Sequence, residues 1–115
     1  MKHEKLYRKS IGIHGQYMQM IKTIEECAEL QKALSKLLIK WNDKDHGNAI
    51  EEIADVQIMI NQMKLIFGRD LVKKVMNEKI LRLKTKLHGT PTEMPELPPQ
   101  IVFIGTAQSN KPEQK

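Results

Sequence analysis

Two short stretches of this sequence set acids inside an otherwise apolar helical pattern: Ile24-Glu25-Glu26-Cys27-Ala28-Glu29-Leu30 and Ile50-Glu51-Glu52-Ile53-Ala54-Asp55-Val56. In each, two carboxylates stand three residues apart, Glu26 with Glu29 and Glu52 with Asp55. Residues three apart on a helix share a face, with Cβ atoms about 5–6 Å from each other. Each stretch therefore carries a carboxylate pair on one side and a greasy stripe on the other. If the stripes pack together, four carboxylates converge. Like charges at close range repel and raise each other's pKa, so such a group calls for a cation. Hard divalent ions such as magnesium take oxygen ligands of this kind. An acidic pair on a lone helix is ordinarily a solvated face. Two pairs on consecutive helices are not so easily dismissed, and Asp55 is a poor helix-interior residue with no cap to make.

A second set of residues carries the opposite charge. Between Arg69 and His88 stand seven Lys or Arg against two acids. Lys79, Arg82 and Lys86 fall at i, i+3 and i+7, one cationic stripe suited to phosphate. Asn77 lies close in sequence but points away from Lys79 on an ideal helix. Gln16, Gln19 and Trp41 are candidates for contacts to a sugar or base. Gln19 lies seven residues before Glu26 and hence on nearly the same face. Other signals are weaker. Asp43-Lys44-Asp45-His46-Gly47 misplaces the glycine of a calcium loop and has Ala54 where the closing Glu belongs. His3, His14, His46 and His88 show no ligand spacing, and no glycine-rich phosphate loop is present. Cys27 reads as a small packing residue rather than a nucleophile.

Helices must position these groups. The pattern predicts a short helix from Glu4 to Ser10, broken around Gly12 and Gly15, then a long helix from Gln16 to Trp41. Tyr17, Met20, Ile21, Ile24, Cys27, Ala28, Leu34, Leu37, Leu38 and Trp41 form its apolar stripe. After a polar loop, Asn42–Gly47, Asn48 reads as an N-cap with Glu51 closing a capping box. That second long helix runs to Phe67, with Ile50, Ile53, Ile60, Met63 and Phe67 inward and Gly68 as its stop. Asp70 caps a third, through Leu87, with Leu71, Val72, Val75, Met76, Ile80, Leu83 and Leu87 inward. Gly89 ends it. Pro91, Pro95, Pro98 and Pro99 then forbid a continuous helix. The expected organisation is an all-α, antiparallel helical bundle over residues 1–89 and a Pro-rich tail over 90–115, in which Ile101–Ile104 forms a strand or an anchor.

Composition agrees with this fold class. Of 115 residues 40% are hydrophobic and only 4% aromatic, so the core is aliphatic, which favours helix over strand. The net charge of +5 suits an anionic partner without naming one. One cysteine allows no internal disulfide. With no apolar run of a signal peptide at the start and no segment of membrane-spanning length, a cytoplasmic protein with no membrane partner is expected.

Taken with its spacing, the arrangement Glu-Glu-x-x-Glu, 22 intervening residues and Glu-x-x-Asp resembles that of the all-α nucleoside triphosphate pyrophosphohydrolases. This superfamily includes MazG, the dimeric dUTPases, dCTP pyrophosphatases and phosphoribosyl-ATP pyrophosphohydrolase. The likeness extends upstream through Gln16 and Met20 to the small MazG-like proteins of phages and bacteria, and it covers about residues 10–87. It implies that Glu26, Glu29, Glu52 and Asp55 hold Mg²⁺, with Mn²⁺ a possible substitute. It also implies that Asn77, Lys79 and Arg82 match an Asn-x-Lys-x-x-Arg element that contacts substrate phosphates. Homo-dimers or tetramers, with sites completed by the neighbouring subunit, follow from the same resemblance.

The implied reaction is hydrolysis of a nucleoside triphosphate between its α- and β-phosphates, giving monophosphate and pyrophosphate. Glu25 is the candidate catalytic carboxylate that takes a proton from the attacking water. Two other classes stay open. A helical oligomeric adaptor would leave the acids unexplained. A nucleic-acid-binding regulator would draw on the positive charge, but its acids would repel phosphate and it lacks interleaved aromatics, so nucleic acid is not the expected partner.

Overall fold

The computed structural model describes residues 1–90, which form four helices in the order α1 (Glu4–His14), α2 (Gln16–Ile39), α3 (Asp43–Phe67) and α4 (Arg69–Lys86). The described chain is all-helical, as composition and periodicity indicate. The expectations for the Pro-rich tail and the Ile101–Ile104 run lie outside the described residues. No helix among the described residues is long and apolar enough to cross a membrane.

Glycine sets two of the three breaks between helices. Gly15 (φ 91°) separates α1 from α2, and Gly68 (φ 112°) separates α3 from α4. Both lie in the left-handed region, which costs glycine nothing and other residues a Cβ clash. Gly12, expected to share in the first break, instead lies inside α1. A single interior glycine costs a helix only about 1 kcal/mol relative to alanine. Continuation to His14 keeps the helical hydrogen bond from Gly15 N–H to the Ile11 carbonyl, 2.7 Å.

The start of α3 differs from expectation. Asn48 is not its N-cap, and Glu51 closes no capping box. The helix begins six residues earlier, where Asn42 Oδ1 accepts from the Asp45 backbone N–H at 2.8 Å. Asn42 Nδ2 donates in return to Asp45 Oδ2, also at 2.8 Å. Asp43 and Asp45 add negative charge to the first turn, where the helix dipole favours it. Trp41, just before the cap, meets His46 with ring centroids 5.5 Å apart. These are the two positions of a hydrophobic staple, which fixes the angle at which a chain enters a helix. Three favourable terms thus act at Asn42, against one at Asn48. Trp41 consequently lies beyond the end of α2 at Ile39, packed on the cluster of Ala33, Leu37 and Ala49.

α2 and α3, joined by only three residues, run antiparallel and make the main helix pairing. α1 packs across both. Its Tyr7 is buried with the hydroxyl accepting from Asn61 Nδ2 of α3, and its Ser10 Oγ accepts from Gln19 Nε2 of α2. Among the described residues α4 packs on α3, with an ion pair from Arg69 at its start to Glu4 of α1, and none of its residues is buried. Leu71, Val75, Met76, Ile80, Leu83 and Leu87, expected to point inward, are exposed in the single chain. The same holds for Tyr17, Ile24, Leu34 and Leu38 of α2 and for Ile50, Ile53, Ile60 and Phe67 of α3.

The row of residues that does close the α2–α3 seam shares only Leu37 and Met63 with the expected stripes. On α2 it runs Gln19, Thr23, Glu26, Leu30, Ala33, Leu37, in alternating steps of four and three, every member buried or half-buried. On α3 it runs Asp45, Ala49, Glu52, Val56, Met59, Met63, again all at least half-buried. Alternating steps of this kind keep one narrow face toward a partner helix. Small residues, Ala33 and Ala49, let the helices approach at one end of the seam. A buried amide pair, Gln19 Nε2 to Gln62 Oε1 at 2.6 Å, links them near the other.

Candidate metal centre

The seam has acids where a helix pair ordinarily carries aliphatic side chains. Glu26 and Glu52 occupy seam positions in α2 and α3, with Ala33, Leu37, Ala49 and Met59 at others. The Gln19–Gln62 hydrogen bond sets the register between the antiparallel helices. Seven residues onward in α2 and seven back in α3 bring Glu26 opposite Asp55, and ten residues bring Glu29 opposite Glu52. Carboxylate oxygens of Glu26, Glu52 and Asp55 accordingly lie within 4.8 Å of one another. Glu29 stands on the next part of the same face, beside Glu52 in the wall of a shallow hollow. The structure thus brings three of the four expected carboxylates together, Glu26, Glu52 and Asp55, with Glu29 at the edge of the group.

The electrostatics of this group are unfavourable without a cation. Glu52 Oε1 is buried and, among the described residues, finds no hydrogen-bond partner. Burial foremost, and then the charges of Asp55, Glu26, Glu29 and Glu51, push the Glu52 carboxyl above its ordinary value of 4.5. A buried carboxylate oxygen left without a donor costs stability in proportion to its charge. One ammonium group offsets part of the repulsion. Lys22 Nζ lies 3.3 Å from Glu26 Oε2. The hydrogen bond to Glu26, its charge, and the further charges of Glu25 and Asp55 raise the Lys22 pKa. Three convergent carboxylates, one with an unsatisfied buried oxygen, suit a hard divalent cation that takes oxygen ligands, such as Mg²⁺.

The remaining candidates distribute unevenly. Glu25 is exposed, about 100° round α2 from Glu26, and close enough to add to the field at Lys22. Glu51 is exposed and free of the capping task expected of it. Gln16 is exposed at the start of α2. Gln19 is buried, and its amide NH₂ is committed to Ser10 and Gln62. Trp41 is half-buried at the far end of the core. Asn77, Lys79 and Arg82 are exposed on α4, which does not touch α2, and Lys79 instead edges an apolar hollow with Phe67, Leu71, Val75 and Met76. A single chain does not bring these cations to the acids.

Three lysines near the acids escaped the reading of the sequence. Lys22 contacts Glu26, and Lys32 and Lys36 line the hollow that holds Glu29 and Glu52. The signal was available in the spacing. Lys22 is four residues before Glu26, and Lys32 and Lys36 follow Glu29 by three and seven, all on neighbouring parts of one helix face.

No family model matches the chain, and neither a curated protein nor a solved structure matches it.

Proposed function

We propose that this protein is a Mg²⁺-dependent nucleoside triphosphate pyrophosphohydrolase of the MazG-like kind. It would cleave the α–β phosphoanhydride with water to give nucleoside monophosphate and pyrophosphate, in nucleotide-pool control or house-cleaning. The observation that carries this reading is the convergence of Glu26, Glu52 and Asp55 on the α2–α3 seam, with Glu52 Oε1 buried and unpartnered. The three carboxylates, with Glu29 beside them, would hold the ion. Bound Mg²⁺, or Mn²⁺ in its place, supplies charge neutralisation for phosphate oxygens and activation of water.

The protein's own groups do the rest. Glu25, exposed beside the cluster, accepts the proton of the attacking water. Lys79 and Arg82, with Asn77 near them, hold the β- and γ-phosphates and offset charge on the departing pyrophosphate. Because α4 does not reach the acids of its own chain, these cations come from the neighbouring subunit of a homo-dimer or tetramer. The exposed aliphatic residues of α2, α3 and α4, with the apolar hollow of Phe67, Leu71, Val75 and Met76 among them, support such an assembly, since exposed apolar patches mark interaction sites.

A panel of ribo- and deoxynucleoside triphosphates incubated with Mg²⁺, with pyrophosphate separated from orthophosphate, tests the reading. Pyrophosphate release from at least one substrate is expected. Orthophosphate alone, or no turnover across the panel, contradicts it. The exposed apolar faces also favour a second reading, a non-catalytic oligomeric adaptor. Under that reading replacing Glu52 by leucine would stabilise the seam with no loss of function.

A further inference from the structure

Lys22 is the one described cation in salt-bridge contact with the acid cluster, and the proposed function gives it no part. Its ammonium is 3.3 Å from Glu26 Oε2, and the two side chains are 52% and 15% exposed. The partner carboxylate is thus nearly enclosed while the lysine stem can swing into solvent. Lys22 and Glu26 are one helical turn apart, so the contact forms from α2 alone and asks nothing of the rest of the fold. Asp55 and Glu25 also act on the same ammonium.

From this geometry we infer that Lys22 is a tethered counter-ion that occupies Glu26 in the metal-free protein and must leave it when a divalent cation binds. The inference rests on the metal reading above and adds a device that sets its threshold. A monovalent ammonium on a flexible stem offsets part of the repulsion among Glu26, Glu52 and Asp55. It competes for the same Glu26 carboxylate that a divalent ion requires. The metal-free cluster is kept intact at the cost of weakened metal affinity, so the site fills only above a set concentration of free cation. Once displaced, the ammonium stays within one side-chain length of the centre.

Mn²⁺ binding to the full chain, followed by the loss of its free electron paramagnetic resonance signal, tests this with wild type, Lys22→Met and Lys22→Arg. Met and Arg have helix propensities close to that of Lys, so α2 is preserved. Lys9→Met, an equal change of charge on the exposed face of α1, controls for net charge at physiological ionic strength. Lys22→Met is expected to bind Mn²⁺ roughly three- to tenfold more tightly, Lys22→Arg like wild type, and Lys9→Met within about twofold of wild type. Melting gives an independent readout. Without metal, Lys22→Met should melt below wild type, and the difference should close at saturating Mn²⁺, where wild type has lost the same contact. Equal or weaker Mn²⁺ binding by Lys22→Met, a change no larger than that of Lys9→Met, or a melting difference that persists with metal overturns the inference and leaves the metal reading standing. Absence of Mn²⁺ binding by wild type and Lys22→Met alike overturns both.

Discussion

The α2–α3 pair and α4 are built from similar aliphatic residues, yet one is packed and the other is bare. α2 and α3 bury Ala33, Leu37, Ala49 and Met59 along a seam, whereas α4 buries nothing. The charges divide the same way. Glu26 and Glu52 are drawn into the seam of the first unit, whereas Lys79, Arg82 and Lys86 ride on the exposed surface of the second. A carboxylate in a seam is costly and persists only where something compensates it. Cations along an exposed helix cost little. The contrast supports the proposed division, in which α2 and α3 hold an ion and α4 meets a neighbouring subunit.

The largest effect expected from breaking this asymmetry is on turnover. Glu52→Gln or Asp55→Asn should lower the pyrophosphohydrolase rate by at least about 100-fold, with helix content by circular dichroism unchanged. An active Asp55→Asn protein with an unaltered magnesium requirement would count heavily against the site. On stability, Leu37→Ala should cost about 2–4 kcal/mol in urea unfolding because Leu37 is only 5% exposed. The matching change on α4, Leu81→Ala, should cost under about 0.5 kcal/mol, since Leu81 is 65% exposed. A large loss at Leu81 together with a drop in sedimenting mass would show that a neighbouring subunit covers it. Asn42→Ala removes the cap of α3 and should cost about 1 kcal/mol, whereas Asn48→Ala should be near neutral.

The smallest effect is a dependence on pH. The Glu52 carboxyl is raised above 4.5 in the fold, so the folded metal-free protein holds its proton more tightly than the unfolded chain does. Stability from this group is present below pH 4.5 and is lost as pH rises through the folded value. Glu52→Gln removes that loss. Its melting point should match wild type at low pH, rise above it toward neutrality, and fall level again when wild type is saturated with Mg²⁺. A gap that widened toward acid would reverse the sign and remove the case for repulsion at Glu52.

Much of this division could be seen in the sequence, but not the face on which it turns. The helical class, the stop at Gly68 and the two acid pairs follow from local pattern, because glycine placement and i, i+3 spacing are local matters. Which side of α2 meets α3 is not. Ile24, Leu34 and Leu38 make a more apolar stripe than Glu26, Leu30, Ala33 and Leu37, yet the second row is the seam. Periodicity shows that a helix has a greasy side without showing which partner that side meets. The cap at Asn42 was hidden for another reason. Gly47 suggested a loop, but Asp43, Asp45 and the Trp41–His46 contact together favour the earlier start. On α4 the spacing is right for a helix with an apolar stripe, but among the described residues no element covers that stripe.

A crystal grown with Mn²⁺ and a non-hydrolysable nucleoside triphosphate, with the metal located by anomalous scattering, tests the central claim most directly. The account predicts a peak about 2–2.3 Å from carboxylate oxygens of Glu26, Glu52 and Asp55, with phosphate oxygens in its coordination sphere. Ordered nucleotide with no peak at those three side chains, or with the metal bound elsewhere on the protein, would contradict it.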